Sequence, residues 1–394
     1  MGALNKGNTS RRSVLRGVVA GAAGASVLAA TPALAKKTAE KAAELKGAFP
    51  DLPYSGELLG PQPGIAKLSG NENPYGPAPS ALKMIEYAAR RGAYYPFQAN
   101  TILKEMIAER HGLDAANITP CTGSAEALRA LGLLYGRNGP IVAPRLFYDA
   151  TALYSQRLGL SSITRAPLRP DLQIDLKALD AMVTPQTGMV QLCNPNNPTG
   201  LMADSTSLKN AVKSMAKRAP VVVDEAYIEL SGDEDALTCI DLVKQGHNVI
   251  VTRTFSKLYG LAGIRVGYTI SSPETAKTIE NATMSWMPGP SLAAAIGCYN
   301  DHSFIRYSKS KIFEAKEMIE SKVDELGLER LPSSTNFVYF KTDKGANSVF
   351  DALQRKDVRI RPQYMDYAEW SRVSAGHLDD VKRFCDELPA AVGA

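Results

Sequence analysis

Residues Thr252–Tyr268 read TRTFSKLYGLAGIRVGY. An apolar, β-type run at Asn248–Thr252 precedes it and a second, Ile264–Ile270, closes it. The polar residues therefore lie between two predicted strands. Lys257 stands among hydroxyl groups, with Thr254 and Ser256 just before it, and Arg265 follows a turn containing Gly260 and Gly263. A lone lysine at a strand end is usually a solvated surface group. Hydroxyls and an arginine gathered beside one lysine suit something narrower: a dianionic phosphate next to an amine that attacks a carbonyl.

Outward from this stretch, helical and strand patterns alternate from about Gly123. Helices are expected at Ser124–Tyr135 and Leu208–Lys217. Strands are expected at Pro140–Ala143, Met189–Cys193, Val221–Asp224, Val249–Thr252 and Ile264–Ile270. Such alternation predicts an α/β layer with a mostly parallel central sheet. The pattern changes after Pro288-Gly289-Pro290. A long helical region, Ser291–Leu326, leads to short strands at Asn336–Lys341, Val358–Arg361 and Trp370–Ser374. A last helix, Leu378–Leu388, is expected to end at Pro389. These elements predict a smaller α+β domain.

Five further segments carry chemistry, and each has an ordinary structural reading beside the functional one. Ser69–Pro77, SGNENPYGP, is by itself a turn. Thr122-Gly123-Ser124-Ala125-Glu126 opens a helix, either as a simple cap with Ser124 as N-cap or as an anion site built from free N–H groups. Pro144–Tyr148, PRLFY, follows a strand and offers Tyr148 or Phe147 to a ring, or simply a core aromatic. Asn194–Gly200, NPNNPTG, ends a buried strand. Val221–Tyr227, VVVDEAY, puts Asp224 at the C-terminal edge of a strand, where α/β folds place ligands. A buried carboxylate there requires a charged partner or a shifted pKa; a helix cap is the plainer alternative.

Taken in order, these segments resemble the class I/II aminotransferases, most closely their histidinol-phosphate aminotransferase-like branch. The resemblance covers roughly Ser69 to Leu388. It implies fold-type I architecture: a mostly parallel central sheet sandwiched by helices, with a smaller α+β domain. It also implies pyridoxal 5′-phosphate as cofactor and Lys257 as the catalytic lysine that carries it. The implied phosphate contacts are Ser124, Ala125, Thr254, Ser256 and Arg265, with Tyr75 reaching the cofactor of a partner subunit in a homodimer. Tyr148 is expected to stack on the ring, although PRLFY departs from the family spacing by two residues. Asn197 and Tyr227 are expected on the phenolic oxygen, Asp224 on the ring nitrogen, and Arg372, within Trp370–Gly376, on a substrate carboxylate. Arg361 and Tyr364 receive no role.

At the N-terminus, Ser10–Arg16, SRRSVLR, resembles the twin-arginine export motif. The weakly apolar run Gly17–Ala30 follows, and Ala33-Leu34-Ala35 is a small-x-small site. Residues 1–35 are therefore expected to be a cleaved signal read by the twin-arginine export machinery, giving a periplasmic or otherwise exported protein without stable membrane insertion. Residues 36–75 form an arm joining the small domain, 76–289 the large domain and 290–394 the small one. The formal charge of +5 falls to +1 once the four cations of residues 1–35 are removed. Nothing then points to nucleic acid. The four histidines lack metal-ligand spacing, so no metal is expected. The five cysteines read as buried core thiols.

The expected activity is ping-pong transfer of an amino group from an amino acid or amine to a 2-oxo acid. A lyase or racemase on the same scaffold, or a ligand sensor without activity, are the alternatives at this point. Export would separate the protein from cytoplasmic histidine synthesis, so a different amino substrate is expected, such as an aromatic one or a side chain of a secreted metabolite.

Overall fold

The computed structural model describes residues 59–283 and 285–394, so the expected export signal at 1–35 and residues 36–58 of the arm lie outside the described residues. Residues Pro63–Ala394 form one compact unit. Its strands are β1 (Ala66–Lys67), β2 (Ile118–Cys121), β3 (Ile141–Pro144), β4 (Ile163–Ala166), β5 (Met189–Cys193), β6 (Val221–Asp224), β7 (Val249–Thr254), β8 (Gly267–Ile270), β9 (Phe337–Lys341), β10 (Val358–Arg359) and β11 (Trp370–Ser374).

Seven strands make the central sheet in the order β2-β8-β7-β6-β5-β3-β4. Strand β8 runs antiparallel to both its neighbours, β2 and β7. The pairs from β7 through β4 are all parallel. Every residue of β5, β6 and β7 is buried, and most are apolar on both faces, as a sheet covered on both sides requires. Val221 and Val223 enter one hydrophobic cluster while Val222, between them, enters another on the opposite face. That alternation fixes which face each functional side chain of β6 and β7 serves.

Two small sheets complete the fold: β1 pairs parallel with β10, and β9 pairs antiparallel with β11. The domain boundary expected between residues 289 and 290 falls at the start of the helix Gly289–Cys298, which packs on the helix Pro79–Ala89.

Three local expectations are corrected. The region Ser291–Leu326 is two helices, Gly289–Cys298 and His302–Glu325, because Asp301 caps the second by accepting the Phe304 N–H at 3.0 Å. Pro389 does not end the last helix, which runs to Val392. Only one turn follows the proline, so the lost N–H costs a single hydrogen bond, and Gly393 closes the helix in the left-handed region at φ 77°. Strand β8 begins at Gly267 rather than Ile264, since Arg265 sits at φ 63°, outside strand geometry.

Candidate active site

The C-terminal edge of the parallel strands opens onto a cavity of about 460 Å³. That is a usual size for a small-molecule site. Eleven of the twelve residues expected at the site line it, all except Tyr75.

Asp224 ends β6 on the same face as Val222 and is 3% exposed. Its Oδ1 accepts a hydrogen bond from Thr252 Oγ1 at 2.9 Å. Burial raises its pKa to about 6, and the Thr252 hydrogen bond and the charge of Lys257 oppose this only in part. Among the described residues Asp224 has no ion pair. Such a carboxylate is poised for a cationic ligand atom.

Lys257 follows β7 and reaches back over the cavity. Its Nζ donates to the backbone carbonyl of Asn71 at 3.0 Å and of Gly70 at 3.4 Å, and lies 5.5 Å from the centre of the Tyr227 ring. Burial first, and then the charge of Arg372, lower its pKa to about 8, against the pull of Glu72 and Asp224. A drop from 10.5 to about 8 increases the neutral, nucleophilic fraction near pH 7 about 300-fold.

The phosphate corner is built from backbone. Gly123, not Ser124, is the N-cap of the helix Ser124–Gly136, at φ 78°, and no side chain caps this end. The first-turn N–H groups of Ser124 and Ala125 therefore face the cavity bare, as anion sites require. A Cβ at Gly123 would stand 2.1 Å from Arg265 Nη2, and one at Gly267 would stand 2.3 Å from the Ser124 nitrogen. Glycine at both positions keeps the guanidinium and the helix end open. Thr254 Oγ1 donates to Ser256 Oγ at 2.9 Å, and Arg265 Nη1 donates to the Ala262 carbonyl at 2.7 Å.

Arg372 on β11 forms the opposite wall and is 4% exposed. It donates to Asn197 Oδ1 at 2.6 Å, the Tyr364 hydroxyl at 2.6 Å and the Ser69 carbonyl at 2.7 Å. Its Nε has no partner and no carboxylate pairs with it among the described residues. A buried guanidinium satisfied only by neutral acceptors is an anion receptor awaiting its anion.

Tyr148, not Phe147, lines the cavity; Phe147 is 2% exposed in the core cluster behind it. Tyr75 stands outside the cavity of its own chain. Its hydroxyl accepts the Leu378 N–H at 3.2 Å, and its ring meets His377 edge-on at 5.1 Å.

Asn71, which the sequence does not mark out, also belongs to the site. Held at φ 52°, its Nδ2 donates to the Tyr227 hydroxyl at 2.9 Å and its Oδ1 accepts from Ser374 at 2.7 Å. It joins the arm segment, β6 and β11 while its carbonyl holds Lys257. The signal was present in SGNENPYGP, where an Asn before Glu and Pro reads only as a turn. Glu72, Arg361 and Tyr364 also line the cavity.

These residues fit a ligand with a phosphate at one end, a basic ring nitrogen at the other and a carbonyl facing Lys257. The family model for aminotransferases of class I and II matches residues 63–388. The chain belongs to this family. It is 32% identical over 316 residues to a histidinol-phosphate aminotransferase of Moorella thermoacetica, covering 79% of this chain and 81% of that one. It is likewise 32% identical over 327 residues to histidinol-phosphate aminotransferase 2 of Pseudomonas aeruginosa, covering 82% and 88%. Among solved structures, the histidinol-phosphate aminotransferase of Sinorhizobium meliloti with pyridoxal-5′-phosphate superposes with a TM-score of 0.77 at 30% identity, covering 84% of this chain and 91% of that one. The enzyme is a pyridoxal-phosphate-dependent aminotransferase of fold-type I. Its cofactor, once bound, supplies a carbonyl that exchanges amino groups and a ring that withdraws electrons.

Proposed function

We propose that this enzyme moves an amino group between an amino acid and a 2-oxo acid by a ping-pong cycle, as an exported homodimer acting outside histidine synthesis. The observation that carries the reading is the pairing of a half-buried Lys257, its pKa lowered to about 8, with a buried, anion-free Arg372 across one cavity. In this reading Arg372 takes the substrate carboxylate in a bidentate grip and fixes the α-carbon over Lys257. Neutral Lys257 would accept the α-proton and return it two bonds away, on the far side of the transferred nitrogen. Asp224 stays ionised against the ring nitrogen. Asn197 and Tyr227 hold the phenolic oxygen, and Ser124, Ala125, Thr254, Ser256 and Arg265 hold the phosphate. A receptor for a retained carboxylate argues against decarboxylation.

The export proposal rests on Ser10–Ala35 alone. It predicts that protein recovered from the exported fraction begins at Lys36. Unprocessed cytoplasmic protein with full activity on histidinol phosphate would refute it. For the activity, the loaded enzyme is mixed with single amino acids. A true donor bleaches the cofactor's visible band once, and a 2-oxo acid restores it. Continuous turnover of one amino acid without an acceptor would instead mark a lyase or racemase.

A further inference from the structure

A second hollow adjoins the reaction cavity and shares Ser69, Gly70 and Arg361 with it. Its remaining wall comes from Lys67, Arg359, Ile360 and Pro362 on one side and from Phe350 and Gln354 of the helix Ala346–Gln354 on the other. The strand pair β1–β10 explains how the cations gather. Val358 and Ile360 point into the core, so Arg359 and Arg361 both point outward. The parallel register places Lys67 directly beside Arg359.

Like charges opposite each other on paired strands destabilise a sheet. Here only Lys67 is neutralised, by Glu72. Neither Arg359 nor Arg361 has a hydrogen-bonding or ionic side-chain partner among the described residues; Arg361 rests on the Tyr364 ring, 5.0 Å from its centre. Two uncompensated guanidinium groups on one short edge, continuous with the catalytic cavity, form a recognition surface.

We propose that this hollow binds a distal anionic group of the amino substrate, a carboxylate or phosphate separated from the reacting carbon by a partly apolar linker that lies against Phe350. The inference rests on the aminotransferase reading and names the substrate class of that site. Arg372 holds the anion next to the reacting carbon, while Arg359 and Lys67 hold the far one and Arg361 stands between. The substrate is thus longer than a simple amino acid and negatively charged at its remote end.

The test uses the cofactor-loaded full-length enzyme and its Arg359→Ala and Arg359→Lys variants. Inorganic pyrophosphate is titrated calorimetrically. In parallel, a donor series is read by bleaching of the visible band: L-alanine, which has no distal anion, γ-glutamyl-glutamate and the phosphoserine-terminated analogue γ-glutamyl-phosphoserine. The expected result is that extended donors bind better than alanine. Arg359→Ala should raise KM for the extended donors and the pyrophosphate Kd about tenfold, with kcat and all constants for alanine unchanged. Arg359→Lys should recover part of the loss. The carboxylate and phosphate arms show which anion the hollow prefers. Equal constants for wild type and Arg359→Ala with every donor and with pyrophosphate overturn the inference while leaving transamination intact. Failure of any donor to bleach the wild-type band would instead overturn the aminotransferase reading itself.

Discussion

Asp224 shows how the site trades stability for chemistry at the scale of one residue. Its carboxyl is raised from 3.8 to about 6 by burial. Below pH 4, folded and unfolded chains both carry the neutral acid and the fold suffers no penalty. Between about 4 and 6 the folded chain keeps a proton that the unfolded chain has lost, so stability falls as pH rises, and above 6 the full cost of about 3 kcal/mol is present. Asp224→Asn is therefore expected to raise the melting temperature of the cofactor-free protein at pH 8 by roughly a few degrees. The gain should vanish toward pH 4, and turnover of the loaded enzyme should fall by more than about 100-fold. Thermal unfolding across that pH range and steady-state assays check both. A variant no more stable at pH 8 than at pH 4, relative to wild type, would contradict the account. The same residue was legible in the sequence, since three β-branched residues ahead of an Asp-Glu pair state a buried strand end. Asn71 was not, because its role comes from contacts to Tyr227, Ser374 and Asn336, all more than 150 residues away in the chain.

Strands β6 and β7 are the elements that hold Asp224 and Lys257 in register. On the cofactor face Thr252 bonds Asp224; on the back face Arg253 pairs with Glu225 at 2.8 Å, with both side chains 1% exposed. Arg253 also bonds Glu234 and, at 2.9 Å, Thr238. Beside this network Glu229 is raised to about 7 by burial and the charge of Glu234. Breaking one partner of a buried pair leaves the other charge stranded, a loss of about 3–5 kcal/mol. Arg253→Met should thus lower denaturant stability by that amount, and Arg253→Met with Glu225→Leu should recover much of it. A single variant within about 1 kcal/mol of wild type would show that the back-face pair does not hold the strands. At this scale the sequence was a good guide for β5, β6 and β7, whose apolar runs admit no other reading. It was a poor guide for β2, Ile118–Cys121, where Pro120 argues against a strand; the sheet tolerates it because β2 lies on an edge. Phe147 and Tyr148 could not be separated by pattern, since which of them faces the cavity depends on the tertiary course of the loop after β3.

Across residues 63–394, the layered sheet places the reaction cavity at the ends of its parallel strands, and motifs from Ser69 to Arg372 converge there. Tyr75, which does not line its own chain's cavity, is the residue that the proposed homodimer would lend to the partner's site. If sites are shared in a homodimer, chains carrying Tyr75→Ala and chains carrying Lys257→Ala should each be nearly inactive alone. Co-expressed, they should regain about a quarter of wild-type activity, because random pairing makes half the dimers mixed and each mixed dimer has one intact site. No recovery on mixing would contradict shared sites.

Lys257, which lines one cavity with Asp224 and Arg372, is the residue proposed to carry pyridoxal phosphate and to perform the proton transfer of an aminotransferase. The most direct measurement is the visible absorption of purified wild type and Lys257→Ala, each loaded with pyridoxal phosphate and then given an amino acid donor. The expected result is a visible band in the wild type that a donor bleaches and a 2-oxo acid restores, and in Lys257→Ala no lysine-dependent band and no turnover. A Lys257→Ala protein that keeps the wild-type band and catalyses repeated transfer would contradict it.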